Sequence, residues 1–199
     1  MTINEIQAIG NLLQYYHSDL TYISEFHKHK TGKFGLNDYL KKNSGTFKSF
    51  INEFKIARNV DKTKTKELLN QTFEWINNED PNDIDSFAEH LKLNGITHGK
   101  KVTSLASKIL FLNNPWEILP IDRLGKKATN LSENNYSKYK TLIKEFREKE
   151  KTEIENCLNS VEHYLNIIEK DFKGKIRDLK IIRENRFIDK LLWTTGKNK

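Results

Sequence analysis

Residues 104–124 read SLASKILFLNNPWEILPIDRL. This stretch fixes the helical character of the chain and delivers the one carboxylate that suggests chemistry. Leu105, Ile109 and Leu112 recur at helical spacing. The helix they predict stops at Asn113-Asn114-Pro115, because proline disfavours helical geometry in the residue before it. A short connection over residues 116–119 leads into Pro120-Ile121-Asp122, and Arg123-Leu124-Gly125-Lys126-Lys127-Ala128 opens the next element. Asp122 therefore reads as an N-cap, its side chain accepting a backbone N–H at the positive end of the following helix.

Working outward, almost every other segment carries a helical period, and none alternates in the manner of a strand. Thr2 and Glu5 form a capping box for a helix through Ile6, Ile9, Leu13 and Tyr16. Phe47, Phe50, Ile51 and Phe54 line a second helix, and Leu69, Phe73 and Ile76 a third that ends in the turn Asn78-Glu79-Asp80-Pro81. From Asp83 a shorter helix runs through Phe87 and Leu91 to Asn94-Gly95. Past Asp122, the residues Ile154, Leu158, Val161, Leu165, Ile168 and Phe172 alternate four and three apart, the spacing of one helix packed along one seam within the chain. Gly174 separates it from a last helix with Ile176, Leu179, Ile182, Ile188 and Leu191 inward. The expected fold class is all-α.

The 199 residues suffice for one large domain or two small helical lobes, and 36% hydrophobic residues suffice for a core. Thirty-four Lys and Arg against 27 Asp and Glu give a net charge of +7, which favours a polyanionic partner. The single cysteine, Cys157, excludes a disulfide framework or a cysteine-ligated metal site within one chain and reads as a small apolar packing residue. The start Met1-Thr2-Ile3-Asn4-Glu5 lacks the basic and apolar blocks of a signal peptide, and no apolar run approaches the ~18 residues of a membrane span. The expected setting is the cytoplasm, without membrane contact and as a monomer. His27-Lys28-His29-Lys30 reads as a basic, solvent-exposed turn rather than a metal site. Walker, zinc-protease and serine-esterase motifs are absent, and no metal or cofactor is expected.

Ala106 and the triplet Pro120-Ile121-Asp122 resemble, without a gap, the frame of the helix-hairpin-helix DNA glycosylase superfamily, in which a Pro-Val-Asp type motif bears the catalytic aspartate. The resemblance covers roughly residues 90–130. Where that family has a Leu-Pro-Gly-Val-Gly type hairpin, this chain reads Leu93-Asn94-Gly95-Ile96-Thr97-His98-Gly99-Lys100-Lys101, with its glycines further apart. The position of the Schiff-base lysine in lyase-competent relatives is Ser104 in gapless register, and only a shifted register brings Lys100 or Lys101 there. The segment after Asp122 also departs, with Arg123-Leu124-Gly125 in place of the usual histidine-bearing turn.

The resemblance implies two helical lobes around a cleft: an N-terminal region over residues 1–82, a lobe over 83–150 with a divergent hairpin and Asp122, and helices over 151–199 completing the N-terminal lobe. A single domain remains the other arrangement. It also implies a DNA glycosylase, probed at Asp122 as the catalytic carboxylate and at Trp116 as the aromatic lining the pocket of a flipped base. Lys100 and Lys101 in the hairpin turn and Lys126 and Lys127 after Asp122 would hold DNA phosphates. With Ser104 at the lysine position, the enzyme expected is monofunctional. Two other readings stand beside this one. In the first, the domain binds DNA without catalysis and Asp122 only caps a helix; in the second, the chain is a helical protein-interaction module.

Overall fold

A computed structural model of the protein describes residues 1–199, the side chain of Lys62 excepted. The described residues are all-helical, as the periodicity predicts, and contain no strand. In chain order the helices are α1 Ile3–Lys30, α2 Leu36–Tyr39, α3 Phe47–Glu53, α4 Thr65–Asn78, α5 Ile84–Leu93, α6 Thr103–Asn113, α7 Arg123–Ala128, α8 Tyr136–Lys149, α9 Lys151–Ser160, α10 Glu162–Glu169 and α11 Leu179–Asn198. Among the described residues, no helix is long and apolar enough to cross a membrane.

The chain divides into two compact units, Met1–Leu20 with Leu119–Lys199, and Thr21–Ile118. The seams thus fall at Leu20 and Ile118, whereas the sequence reading drew them at 82 and 150. The first seam lies inside α1, where the helix runs on without a proline or glycine to mark it. Asp122 accordingly belongs with the terminal helices, and the segment around Lys100 belongs to the other unit.

In the unit Thr21–Ile118, α6 is buried over all but the face of Ser104 and Lys108, which are half-buried. Leu105, Ala106, Ser107, Ile109, Leu110, Phe111 and Leu112 are all at most 1% exposed. The same core holds Ile23 and Phe26 of α1, Phe47 and Phe50 of α3, Leu68 and Leu69 of α4, and Phe87 and Leu91 of α5. Each large apolar side chain so buried contributes about 1.5–3 kcal/mol. Caps set the starts: the Asp83 side chain accepts the Ser86 amide of α5 at 3.0 Å, and Thr46 accepts that of Ser49 in α3 at 3.4 Å. The basic run His27 to Lys30 is the last turn of α1, where positive charge suits the helix dipole; Lys28 and Lys30 are exposed, as read, whereas His27 and His29 are half-buried. His29 stacks on Tyr39 at 4.7 Å and bonds the Phe34 carbonyl at 2.6 Å, while Lys30 Nζ donates to Asn113 Oδ1 at 2.8 Å.

In the other unit, α11 is the buried element, with Ile182, Phe187 and Ile188 fully covered. Its polar residues are buried in pairs. Arg186 Nε donates to Asp19 Oδ2 at 2.8 Å and its Nη1 lies 3.1 Å from Asp189 Oδ2. Arg183 donates to both oxygens of Glu169, at 2.9 and 2.7 Å, and the Tyr16 hydroxyl donates to the same carboxylate at 2.9 Å. Burial first, then Glu169, pushes the Tyr16 phenol far above its ordinary pKa. The capping box forms as read: the Thr2 amide donates to Glu5 at 2.6 Å and the Glu5 amide to the Thr2 hydroxyl at 3.3 Å. The expected single seam from Ile154 to Phe172 is instead two helices. The backbone leaves helical geometry at Val161 (φ −123°) between α9 and α10, so Ile154, Cys157, Leu165 and Phe172 are buried while Val161 is only half-buried.

Candidate active site

The Tyr136 hydroxyl donates to the Leu119 carbonyl and accepts from the Leu119 amide, both at 3.1 Å. One buried phenol thus ties down both backbone groups of the residue ahead of Pro120, whose ring fixes its own φ. The chain reaches Asp122 in extended geometry (φ −139°), and Oδ1 accepts the Gly125 amide at 2.7 Å. Asp122 is therefore the N-cap of α7, as the sequence reading has it, and it is half-buried. Among the described residues, nothing bonds its second oxygen.

Two glycines hold α7 in place. A Cβ on Gly196 of α11 would stand 2.0 Å from the Leu124 carbonyl oxygen, so the two helices approach with no room for a side chain. A Cβ on Gly125 would stand 2.7 Å from the Tyr139 hydroxyl and 3.5 Å from Asp122 Oδ1. Tyr139, on α8, is 1% exposed. Burial, followed by the charges of Asp189 and Asp122, raises its pKa well above the usual phenol value. Asp189, with its side chain 20% exposed, has its own pKa raised: desolvation and the charges of Asp122 and Asp19 outweigh the opposing pull of Arg186 and Lys190. Asp122 and Asp189 thus lie near enough to act on each other and on the buried Tyr139 phenol.

The remaining residues of the sequence reading divide between the units. Trp116, Lys100 and Lys101 lie in Thr21–Ile118; Lys126 and Lys127 lie with Asp122. Trp116 is half-buried and meets the His27 ring edge-on at 5.8 Å, while His27 Nε2 lies 3.1 Å from the Leu112 carbonyl oxygen. The connection between α5 and α6 makes a tight turn at residues 97–100, with positive φ at His98 (50°) and Gly99 (70°) and the Lys100 amide donating to the Thr97 carbonyl at 3.0 Å. Lys100 is exposed, and Lys101 Nζ lies 3.8 Å from Asp85 Oδ1. Lys64 Nζ donates to the Gly95 carbonyl at 3.0 Å, tying a second basic segment to this turn. Lys126 Nζ donates to Asn134 Oδ1 at 2.6 Å and Lys127 is exposed.

Charge is also polarised along this part of the chain. Residues 41–66 hold eight Lys and Arg against Glu53 and Asp61, whereas residues 67–91 hold seven Asp and Glu and no Lys or Arg. Among the described residues, no group of three or more His, Cys, Asp and Glu is gathered in a way that could hold a metal ion. Sequence reasoning missed Tyr136, Tyr139, Gly125, Gly196 and Asp189. The tyrosines share one face of α8 at a spacing of three, which was the available signal. Family models, curated proteins and solved structures yield no match to the chain.

Proposed function

We propose that the protein is a DNA glycosylase-like enzyme that cleaves the N-glycosidic bond of a flipped damaged or modified base, with Asp122 as its carboxylate. The observation that supports this reading is the state of Asp122: one oxygen is fixed by the Gly125 amide, the chain ahead of it is clamped through Leu119, and the side chain is half-buried. Departure of a base builds positive charge on the deoxyribose. A fixed carboxylate beside the sugar stabilises that charge or takes a proton from the attacking water. Tight orientation matters because it is preorganisation, not the mere presence of a carboxylate, that lowers the barrier.

Contact with DNA is assigned to Lys100, Lys101, Lys126 and Lys127 through phosphates, and stacking on the flipped base to Trp116 on its place in the sequence. Ser104 takes the place of a lysine nucleophile, so the product is an abasic site on an unbroken strand. The test is base release from duplex and single-stranded oligonucleotides carrying deaminated, oxidised and alkylated bases, with borohydride trapping alongside. Release without a trapped covalent adduct is expected. A trapped adduct would overturn the monofunctional assignment, and absence of release across the panel would overturn the glycosylase itself.

A second reading draws on the fact that the bond at Asp122 is that of an ordinary N-cap. In it the protein binds DNA without catalysis, and salt-sensitive binding persists with no base released.

A further inference from the structure

The positive charge of the chain is concentrated in one short segment. Residues 41–66 hold eight Lys and Arg against two acids, while the other 173 residues hold 26 Lys and Arg against 25 Asp and Glu. Nearly all of the net +7 thus arises from this segment, which lies wholly within the unit Thr21–Ile118. Both of its acids are engaged: Glu53 accepts from the Tyr22 hydroxyl, and Asp61 Oδ1 accepts from the Thr63 amide at 2.9 Å and the Thr63 hydroxyl at 2.6 Å. Lys41 pairs with Asp38 at 2.6 Å and Lys64 lies 4.0 Å from Glu67. Among the described residues, no carboxylate stands within that distance of Lys42, Lys48, Lys55, Arg58 or Lys66.

The fold keeps these cations together. Lys48, Ile51 and Asn52 of α3 line one depression with Ala57, Val60 and Thr65, so α3 and the start of α4 meet across it. Arg58 and Lys66 are exposed residues next in the chain to Ala57 and Thr65, and Lys55 is exposed just past the end of α3. Lys64 Nζ donates to the Gly95 carbonyl at 3.0 Å, which joins the segment to the connection that carries Lys100. The opposite charge is held apart, because α4 runs for 14 residues, roughly 20 Å, before the chain reaches Glu79, Asp80 and Asp83.

We propose that residues 41–66 form the phosphate-binding face of the unit Thr21–Ile118, holding the backbone of duplex DNA through Lys48, Lys55, Arg58 and Lys66. This rests on the glycosylase reading for the nature of the polyanion, and it adds to Lys100 and Lys101 a surface outside the motif. Composition favours a phosphodiester backbone over an acidic protein. Seven of the eight cations are lysines, mobile point charges that can follow a repeating backbone, whereas arginine suits the paired oxygens of a carboxylate. Binding through them releases counterions and reads no base sequence. The acidic turn at 79–83 repels the same backbone, which leaves the basic end of the unit as the side of approach.

Lys55 supplies a probe in which folding and binding part. Its φ of 56° is the left-handed position after a helix that glycine usually takes, so Lys55→Gly removes a charge and relieves the backbone. In the variant Lys55→Gly/Arg58→Gln/Lys66→Gln, affinity for a labelled unmodified duplex, read by fluorescence anisotropy, is expected to fall about 10- to 100-fold at about 0.1 M salt, and the slope of log Kd against log salt to fall by about two to three units. Its urea midpoint is expected to equal or exceed that of the wild type. A control, Lys144→Gln/Lys151→Gln/Lys180→Gln, makes the same change of net charge at exposed residues of the other unit and is expected to keep the wild-type slope. Equal losses in the two variants overturn the face and leave only net charge. Unchanged binding in the first variant, with a wild type that binds, overturns the face and leaves the glycosylase reading standing. The expected loss in that variant supports the face whether or not any base is released, so failure of base release overturns the glycosylase reading alone. A wild type that does not bind the duplex, even if it binds polyglutamate, overturns both.

Discussion

Gly125→Ala puts a methyl group where the Tyr139 hydroxyl already stands, 2.7 Å from the new carbon, closer than the 3.0 Å that real Cβ contacts keep. Tyr139 is fully buried and cannot swing away, so relief must come from moving α7 or α8. Overpacking of this kind costs about 1–3 kcal/mol. Against it stands the better helix propensity of alanine, worth about 1 kcal/mol in a helix interior. The net expectation is a loss of about 0–2 kcal/mol. In a Tyr139→Phe background the offending atom is gone, and the next contacts, Tyr139 Cζ and Asp122 Oδ1, are each 3.5 Å away. There the same substitution should be neutral or stabilising by up to about 1 kcal/mol. The double-mutant cycle therefore carries a coupling of about 2 kcal/mol, readable from urea unfolding of the four proteins at fixed slope. Additive effects, with Gly125→Ala equally costly in both backgrounds, would refute the placement of the hydroxyl against Gly125 and with it the approach to Asp122.

Gly196→Ala should also lower stability, because its Cβ would meet the Leu124 carbonyl oxygen at 2.0 Å, whereas Gly10→Ala in α1, with nothing within 4 Å, should raise it by about 1 kcal/mol; urea midpoints decide both. Arg186→Met strands the buried Asp19 carboxylate and is expected to cost about 3–5 kcal/mol, much of it recovered when Asp19→Leu is added. The raised pKa of Asp189 means that its folded form binds a proton more readily than its unfolded form. The stability this contributes is present below the ordinary carboxylate pKa and is lost as pH rises through the folded value. The stability of Asp189→Asn relative to wild type should therefore increase from pH 3 upward, and a pH-independent difference counts against the desolvated carboxylate. Neutralising Lys100, Lys101, Lys126 or Lys127 singly should flatten the salt dependence of DNA affinity by about one unit of slope each, a change visible by fluorescence anisotropy across ionic strengths.

Local signals in the sequence were strong enough to place several helix ends, although no helix was read at Leu36–Tyr39 or Tyr136–Lys149. The Thr2–Glu5 box, the Asp122 cap and the stops at Pro81 and Pro115 are all built from residues within four positions of one another. What escaped depends on partners far along the chain. Asp19 and Arg186 are 167 residues apart, and no pattern in either helix announces the pair. His27 and His29 read as solvated because their neighbours Leu112 and Tyr39 sit on other elements. The period of four and three from Ile154 to Phe172 describes which residues face inward but not that the helix breaks at Val161. Gly125 and Gly196 each read as a helix weakness until the oxygen that occupies the place of the Cβ is known. Asp122 was legible as a cap, and Tyr139 was not legible as its neighbour, because capping is local chemistry and the approach of α8 is not.

The central claim is that Asp122 is a reacting carboxylate and not only a cap. Asn keeps the capping oxygen and removes the charge, so Asp122→Asn separates the two roles. The decisive measurement is single-turnover base release by wild type and Asp122→Asn on the same oligonucleotide, at protein concentrations that saturate binding, with the urea midpoint recorded in parallel. The account predicts equal folding, equal DNA affinity and a rate lower by about 100-fold or more in Asp122→Asn. Equal rates in the two proteins would contradict it.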